Sequence, residues 1–448
     1  MKKFLLIITG ILISIVNIPA QNISKDSIKS FSLKEAIDYA LKNNYTVLSS
    51  QIDVAISKKK IWETTAIGLP QVSSSITYQD MLKIPTTILP GIIFNSPVDV
   101  PVKFGQEYNA GFKATLSQLI FSGAYIVGLQ ASKIYHELST QSLKKSEIDV
   151  RQTVTNSYYM VLVAQENKNI LDSTYVIISG TVDEFEAMNK QGFNEETDVD
   201  QIKLTKLNLK NSLNNIENNI DFYKKSLKFQ LGVDVNQEIA LTDNLDNLIK
   251  DADFEINSIP SFDIISNIDY QLINTQENLN FLNLKRERTN YLPSLAAYYT
   301  YQQSAMRSQF DIFDFSKKWY PTSIIGLSLD IPIFSSGMRH SKVQQAQLQL
   351  DKSRILKLQV SRGLLLDFEQ SKSNYINAMD KYKSNIEAYN LSNKIYKKTL
   401  IKYKNGVSSS TELMEIQKQY FTAQYNYYSS IFDLLSAKSK LDKILFKN

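Results

Sequence analysis

The chain has 448 residues, a formal charge of +5 from 50 Lys and Arg against 45 Asp and Glu, and no cysteine. The missing cysteine excludes disulfides, thiolate metal sites and a lipid-modified N-terminal Cys. So mild a net charge, with acids and bases interleaved, argues against a nucleic-acid partner, and the mean hydropathy of −0.22 is that of a water-compatible protein. His136 and His340 are far apart in sequence and read as helix-surface residues rather than ligands.

Lys2 and Lys3 precede an apolar run from Phe4 to Val16, and Ala20 stands just before a polar stretch. This is the layout of a secretory signal peptide, residues 1–20, and the run is shorter than the ~20 residues of a bilayer span. Its loss would leave the charge at +3, because Lys2 and Lys3 are its only charged residues. No later run is long enough for a transmembrane helix, so any membrane insertion must use β-strands in a closed barrel.

From there the sequence says everything twice. Asn44 in Asn-Tyr-Thr-Val-Leu matches Asn267 at an offset of 223, as Gly68-Leu69-Pro70-Gln71 matches Tyr291-Leu292-Pro293-Ser294. Leu116 to Ser122 matches Leu329 to Ser335 at offset 213, and Gly192 to Val199 matches Gly406 to Leu413 at offset 214. The first half therefore carries a longer loop, by ten residues, between the Leu-Pro and Ile-Phe landmarks. The first repeat is expected over 21–231, a linker and equatorial region over 232–261, and the second repeat over 262–448.

In chain order, Ser32 and Glu35 form a capping box opening a helix over 31–67, with Leu33, Ile37, Ala40, Leu41 and Leu48 at helical spacing. Strands are expected at about 71–82 and 106–121. In the second, Ala110, Phe112, Ala114 and Leu116 alternate with polar or small residues. No proline occurs between Val102 and Ile259, which permits a long helix at about 124–191 and a return helix at 197–231 around the Gly192 turn. The second half predicts a helix at 262–290 and strands at about 294–304 and 321–333. A long helix at about 339–405 and a return helix at 411–445 follow, joined at Gly406. Ile325, Leu327 and Leu329 alternate with Gly326, Ser328 and Asp330. Helices near 100 Å long must pack side by side as coiled coils. The fold class is mostly α, with two tandem repeats of long coiled-coil helices and a β-hairpin.

Two hairpins give four strands, which cannot close a barrel, while an open edge in lipid costs several kcal/mol per unpaired group. Two chains would make a filled eight-stranded barrel, and three chains a twelve-stranded one with a lumen.

The sequence resembles the TolC-like outer-membrane efflux family. The features that carry the resemblance are Phe31-Ser32-Leu33-Lys34-Glu35-Ala36-Ile37 followed by Asn43-Asn44, the Leu-Pro entries at Pro70 and Pro293, the Ile331 to Gly337 strand exit, and the two glycine turns. The resemblance implies a trimer whose twelve-stranded outer-membrane β-barrel continues into an α-helical barrel crossing the periplasm of a Gram-negative bacterium. It implies a passive exit duct of a tripartite efflux or secretion system, working with an adaptor protein and an inner-membrane pump. A non-conducting, strand-anchored coiled coil is the competing reading.

No catalytic or metal-ligand spacing and no cofactor motif stands out. The acids after the turns do: Asp198 and Asp200 follow Gly192, and Glu412 and Glu415 follow Gly406. Three copies would ring a narrow opening with negative charge. By resemblance, Glu412 and Glu415 occupy the family's acidic constriction, Thr197 and Asp198 bond across to the second repeat, and Tyr403 is the partner in that bond. Gly192 and Gly406 mark adaptor-contacting turns. Well-studied family members carry an arginine two residues after the second turn glycine; here that position is Ser408, so the charged clasp expected there cannot form.

Overall fold

A computed structural model describes residues 29–252, 260–314 and 316–445; the expected signal peptide lies outside them. The elements are β1 (Lys29–Phe31), α1 (Leu33–Asn43), α2 (Tyr45–Ile67), β2 (Gln71–Asp80), β3 (Thr86–Leu89), a 3-10 turn (Gly91–Phe94), β4 (Val100–Lys103), β5 (Tyr108–Phe121), α3 (Gly123–Lys190), α4 (Glu196–Leu231), β6 (Ile239–Leu241), α5 (Leu245–Ala252), α6 (Ile268–Thr289), β7 (Ser294–Arg307), β8 (Tyr320–Asp330), α7 (Met338–Lys404) and α8 (Ser410–Leu445).

The capping box forms as the sequence requires: the Ser32 hydroxyl accepts from the Glu35 N–H, and the Glu35 carboxylate accepts from the Ser32 N–H. The helix expected over 31–67 is instead two helices. Asn44 is extended, at φ −64° and ψ 131°, and its side chain caps α2 through the Thr46 N–H. Asn267 does the same for α6 through the Asp269 N–H. The repeat landmark is thus a pair of N-caps, which stop one helix and start the next. The second-half helix accordingly begins at Ile268, not at 262.

The four longer strands form one antiparallel sheet in the order β2-β5-β7-β8, so the two repeats meet at β5 and β7. Its register gathers one apolar face. Val72, Ile76 and Tyr78 pair with Leu116, Phe112 and Ala110; Leu116 and Ala114 pair with Tyr299 and Tyr301; Tyr299 and Ala297 pair with Ile325 and Leu327. The other face carries Ser73, Ser75, Lys113, Thr115, Thr300 and Gln302, with the Thr115 and Thr300 hydroxyls 3.2 Å apart. The Tyr298 ring lies over Gly326, where a Cβ would come within 2.7 Å of it. The apolar face is bare: Val72 is 77% exposed, Ile76 83% and Ile325 83%. Beyond the sheet, the longer loop of the first half holds the β3–β4 hairpin between β2 and β5.

The helices form a wall four helices wide. Near the sheet it runs α2-α3-α6-α7; farther out it runs α4-α3-α8-α7. At ~1.5 Å per residue, α3 with 68 residues and α7 with 67 each extend on the order of 100 Å. Where the two levels meet, β1 pairs in parallel with β6, a contact too short to read from sequence. Phe31, Ala40, Val154, Tyr158, Leu227 and Leu231 are buried there. The Tyr158 hydroxyl donates to the Phe31 carbonyl at 3.0 Å, and the Asp243 carboxylate accepts from the Leu33 N–H at 2.6 Å. No helix among the described residues is long and apolar enough to cross a membrane.

Candidate functional site: the helical tip

Both long helices end in the same turn. Gly192 and Gly406 are left-handed, at φ 77° and 72°. The Phe193 N–H donates to the Met188 carbonyl at 3.0 Å and the Gly192 N–H to Asn189 at 2.9 Å; Val407 and Gly406 repeat the pair on Lys402 and Tyr403, both at 2.9 Å. These are Schellman turns, which satisfy the last helix carbonyls and need a residue tolerant of positive φ. A Cβ on either glycine would meet nothing within 4 Å, so backbone conformation alone selects glycine.

Apolar packing of Val182, Val199 and Ile202 with Tyr396 and Leu413 holds the tip of the first hairpin to that of the second, and three further contacts reinforce it. The Ser410 hydroxyl donates to the Asp198 carboxylate. Lys404 pairs with Glu184 at 2.8 Å. Tyr403 stacks on Phe185, with centroids 4.4 Å apart and planes 16° from parallel. Burial and the nearby Asp198 carboxylate push the Tyr403 hydroxyl up to about 12.

The expected cross-repeat bonding changes partners. Asp198 does reach the second repeat, but its bond is to Ser410, whereas Tyr403 meets the first repeat through its ring on Phe185 and its hydroxyl at the Asn194 side chain. Thr197 bonds only locally, to the Glu195 carboxylate at 3.3 Å, because its side chain lies on an exposed face of the first turn of α4. Ser408, in place of the family arginine, donates to Glu412 at 2.6 Å. Glu415 accepts from Gln419 at 3.1 Å, and Asp200 is exposed. Sequence reasoning missed Glu184, Phe185, Lys404 and Ser410. None of them stands out on its own helix, and only the packing of α3 and α4 against α7 and α8 brings them together.

The sequence profile of the family described as outer membrane efflux protein matches residues 276–445, most of the second repeat. The whole chain has the corresponding fold. The outer membrane protein VceC of Vibrio cholerae is 12% identical, with a TM-score of 0.72 over 92% of this chain and 95% of that one. CusC is 14% identical, with a TM-score of 0.74 over 95% of each chain. The MtrE outer membrane channel of Neisseria gonorrhoeae, in its open state, is 14% identical, with a TM-score of 0.73 over 92% of this chain and 88% of that one. The second repeat thus carries the outer membrane efflux protein domain, and the chain as a whole has the fold of these outer membrane channels.

No curated protein sequence matches the chain. The first repeat, outside that match, shares its helix cap, hairpin order and Schellman turn with the second.

Proposed function

We propose that three copies of the chain assemble into a passive outer-membrane duct through which an inner-membrane pump, coupled by a periplasmic adaptor, expels its cargo. The observation that carries this is the four-stranded sheet with one continuous bare apolar face and two unpaired outer edges, β2 and β8. Unpaired edges and a bare apolar face are together costly in water, and the edges alone are costly in lipid. Edge-to-edge pairing of β2 with the next copy's β8 satisfies the edges, and insertion of the closed ring into lipid covers the apolar face. Twelve strands spaced ~4.8 Å apart and tilted ~40° close a ring roughly 24 Å across, wide enough to leave a lumen. With that tilt the ten residues of β2 rise roughly 25 Å, the height of the apolar band of such barrels.

The helical wall asks for the same neighbours. One of its edges is α7; the other is α2 near the sheet and α4 near the tip. Both edges carry exposed apolar side chains: Ile52, Ile56 and Trp62 on α2, and Ile355, Leu358 and Leu365 on α7. Three copies would thus form a twelve-helix tube hanging from the barrel, with the turns at its far end. We assign Asp198, Asp200, Glu412 and Glu415 to the negatively charged opening there. Gly192 and Gly406, beside the exposed Phe193 and Val407, are assigned to the adaptor contact.

The purified protein in a planar bilayer is expected to pass ions in small, cation-favouring steps. A protein that inserts but passes no current under any condition would leave the structural coiled-coil reading in its place.

A further inference from the structure

Along α7, tyrosine recurs at every seventh position: Tyr375, Tyr382, Tyr389, Tyr396 and Tyr403. Tyr420 and Tyr427 of α8 interleave with them. Tyr427 lies 5.1 Å from Tyr389 with rings 8° from parallel, and Tyr420 lies 5.2 Å from Tyr396 with rings 5° from parallel. Stacked aromatic pairs add to the area they bury, so α7 and α8 are joined by an aromatic zipper and behave as one body.

The face of α8 toward α3 is built differently. Its heptad positions there are Gln417, Gln424 and Ile431. Gln417 is 1% exposed and Gln424 2%. The Gln417 amide nitrogen and the Gln424 carbonyl oxygen find no hydrogen-bond partner, and the Gln424 nitrogen only just reaches the Asn167 oxygen of α3, at 3.5 Å. Buried polar atoms without partners cost the folded arrangement the full desolvation of the group. Beside this layer a groove of about 920 Å³ runs between α4 and α8. A small displacement of α8 would therefore let water reach both amides.

We propose that Gln417 and Gln424 are positioning residues that keep the closed wall only marginally stable. They form a half-satisfied amide layer that penalises the closed seam and is relieved by water when the α7–α8 body shifts on α3. The inference rests on the duct reading and adds the residues that set how easily the duct opens. Leucine or methionine would pack this seam without penalty, as Ile431 does one heptad further on.

The test uses the full-length trimer in planar bilayers, with the tip clasp weakened by Asp198→Ala and Phe185→Ala so that openings are frequent. Into this parent are placed Gln417→Met with Gln424→Met, nearly the same size but without the amides, and separately Gln417→Asn with Gln424→Asn. The methionine pair is expected to raise the thermal midpoint and to cut the frequency of openings roughly tenfold, the scale of a relieved buried polar group; the asparagine pair is expected to leave openings at or above the parent frequency. A higher midpoint with unchanged openings would reduce the amides to a structural feature and overturn the proposal, and so would a lower midpoint. Equal closure by methionine and asparagine would show that polarity is not the cause. A parent that passes no current would overturn the duct reading itself, and this inference with it.

Discussion

Among the Phe185–Tyr403, Asp198–Ser410 and Lys404–Glu184 contacts between the hairpins at the tip, the aromatic stack should dominate. Phe185 is 2% exposed, and truncating a buried phenylalanine costs ~3–5 kcal/mol. The Lys404–Glu184 pair has side chains 45% and 51% exposed, and ion pairs in such positions contribute ~0–1 kcal/mol. The Asp198–Ser410 bond is partly buried and involves a charge, which places it between the two at ~1.5–3 kcal/mol. If half of the Phe185 loss falls on the closed arrangement alone, about 2 kcal/mol shifts the closed-to-open ratio roughly thirtyfold per subunit. Single-channel recording of Phe185→Ala, Asp198→Ala and Lys404→Ala should therefore rank open probability in that order, with Lys404→Ala close to the unaltered protein. Equal opening by all three would refute the reasoning. So would a Phe185→Ala protein that loses thermal stability yet opens no more often.

Gly232 contrasts with the tip glycines: it too has positive φ, but a Cβ there would stand 2.2 Å from the Asn43 carbonyl oxygen. Gly232→Ala should lower the thermal midpoint severely, whereas Gly192→Ala and Gly406→Ala should cost only the ~1 kcal/mol of left-handed backbone each. Asn44→Ala should destabilise more than Asn267→Ala in denaturant titrations. Both lose an N-cap worth ~1 kcal/mol, but Asn44 also donates to the Gln230 carbonyl at 2.7 Å. Burial pushes the hydroxyls of Tyr396 and Tyr427 up to about 12, as burial with Asp198 does for Tyr403. A raised folded-state value means the folded protein holds these protons more tightly. The corresponding stability is complete below the unfolded value near 10 and is lost as pH climbs toward 12. Tyrosinate absorbance should accordingly lag in this range and jump where circular dichroism reports unfolding.

Much of this architecture is legible in the residues because the rules that write it are local. The Ser32–Glu35 box, the proline-free stretches and the two turn glycines act within a few positions. The alternation in β5 and β8 needs only a period of two. The break at Asn44 was visible as a repeat landmark but not as a boundary, since apolar spacing runs helically on both sides of it. The tip was half legible. The duplicated turns located it and Asp198 was singled out, but its Ser410 partner lies 212 residues away, and nothing in the serine's own surroundings marks it. The amide layer was hidden for a related reason. Glutamine at heptad spacing on a helix reads as a solvated face until α3 is seen to cover it.

The claim on which everything else depends is that one chain supplies a third of a closed wall. Native mass spectrometry of the detergent-extracted protein tests it most directly. The account predicts a single assembly of three chains that stays intact as detergent is stripped in the gas phase. A monomer or a dimer as the largest stable species would contradict it.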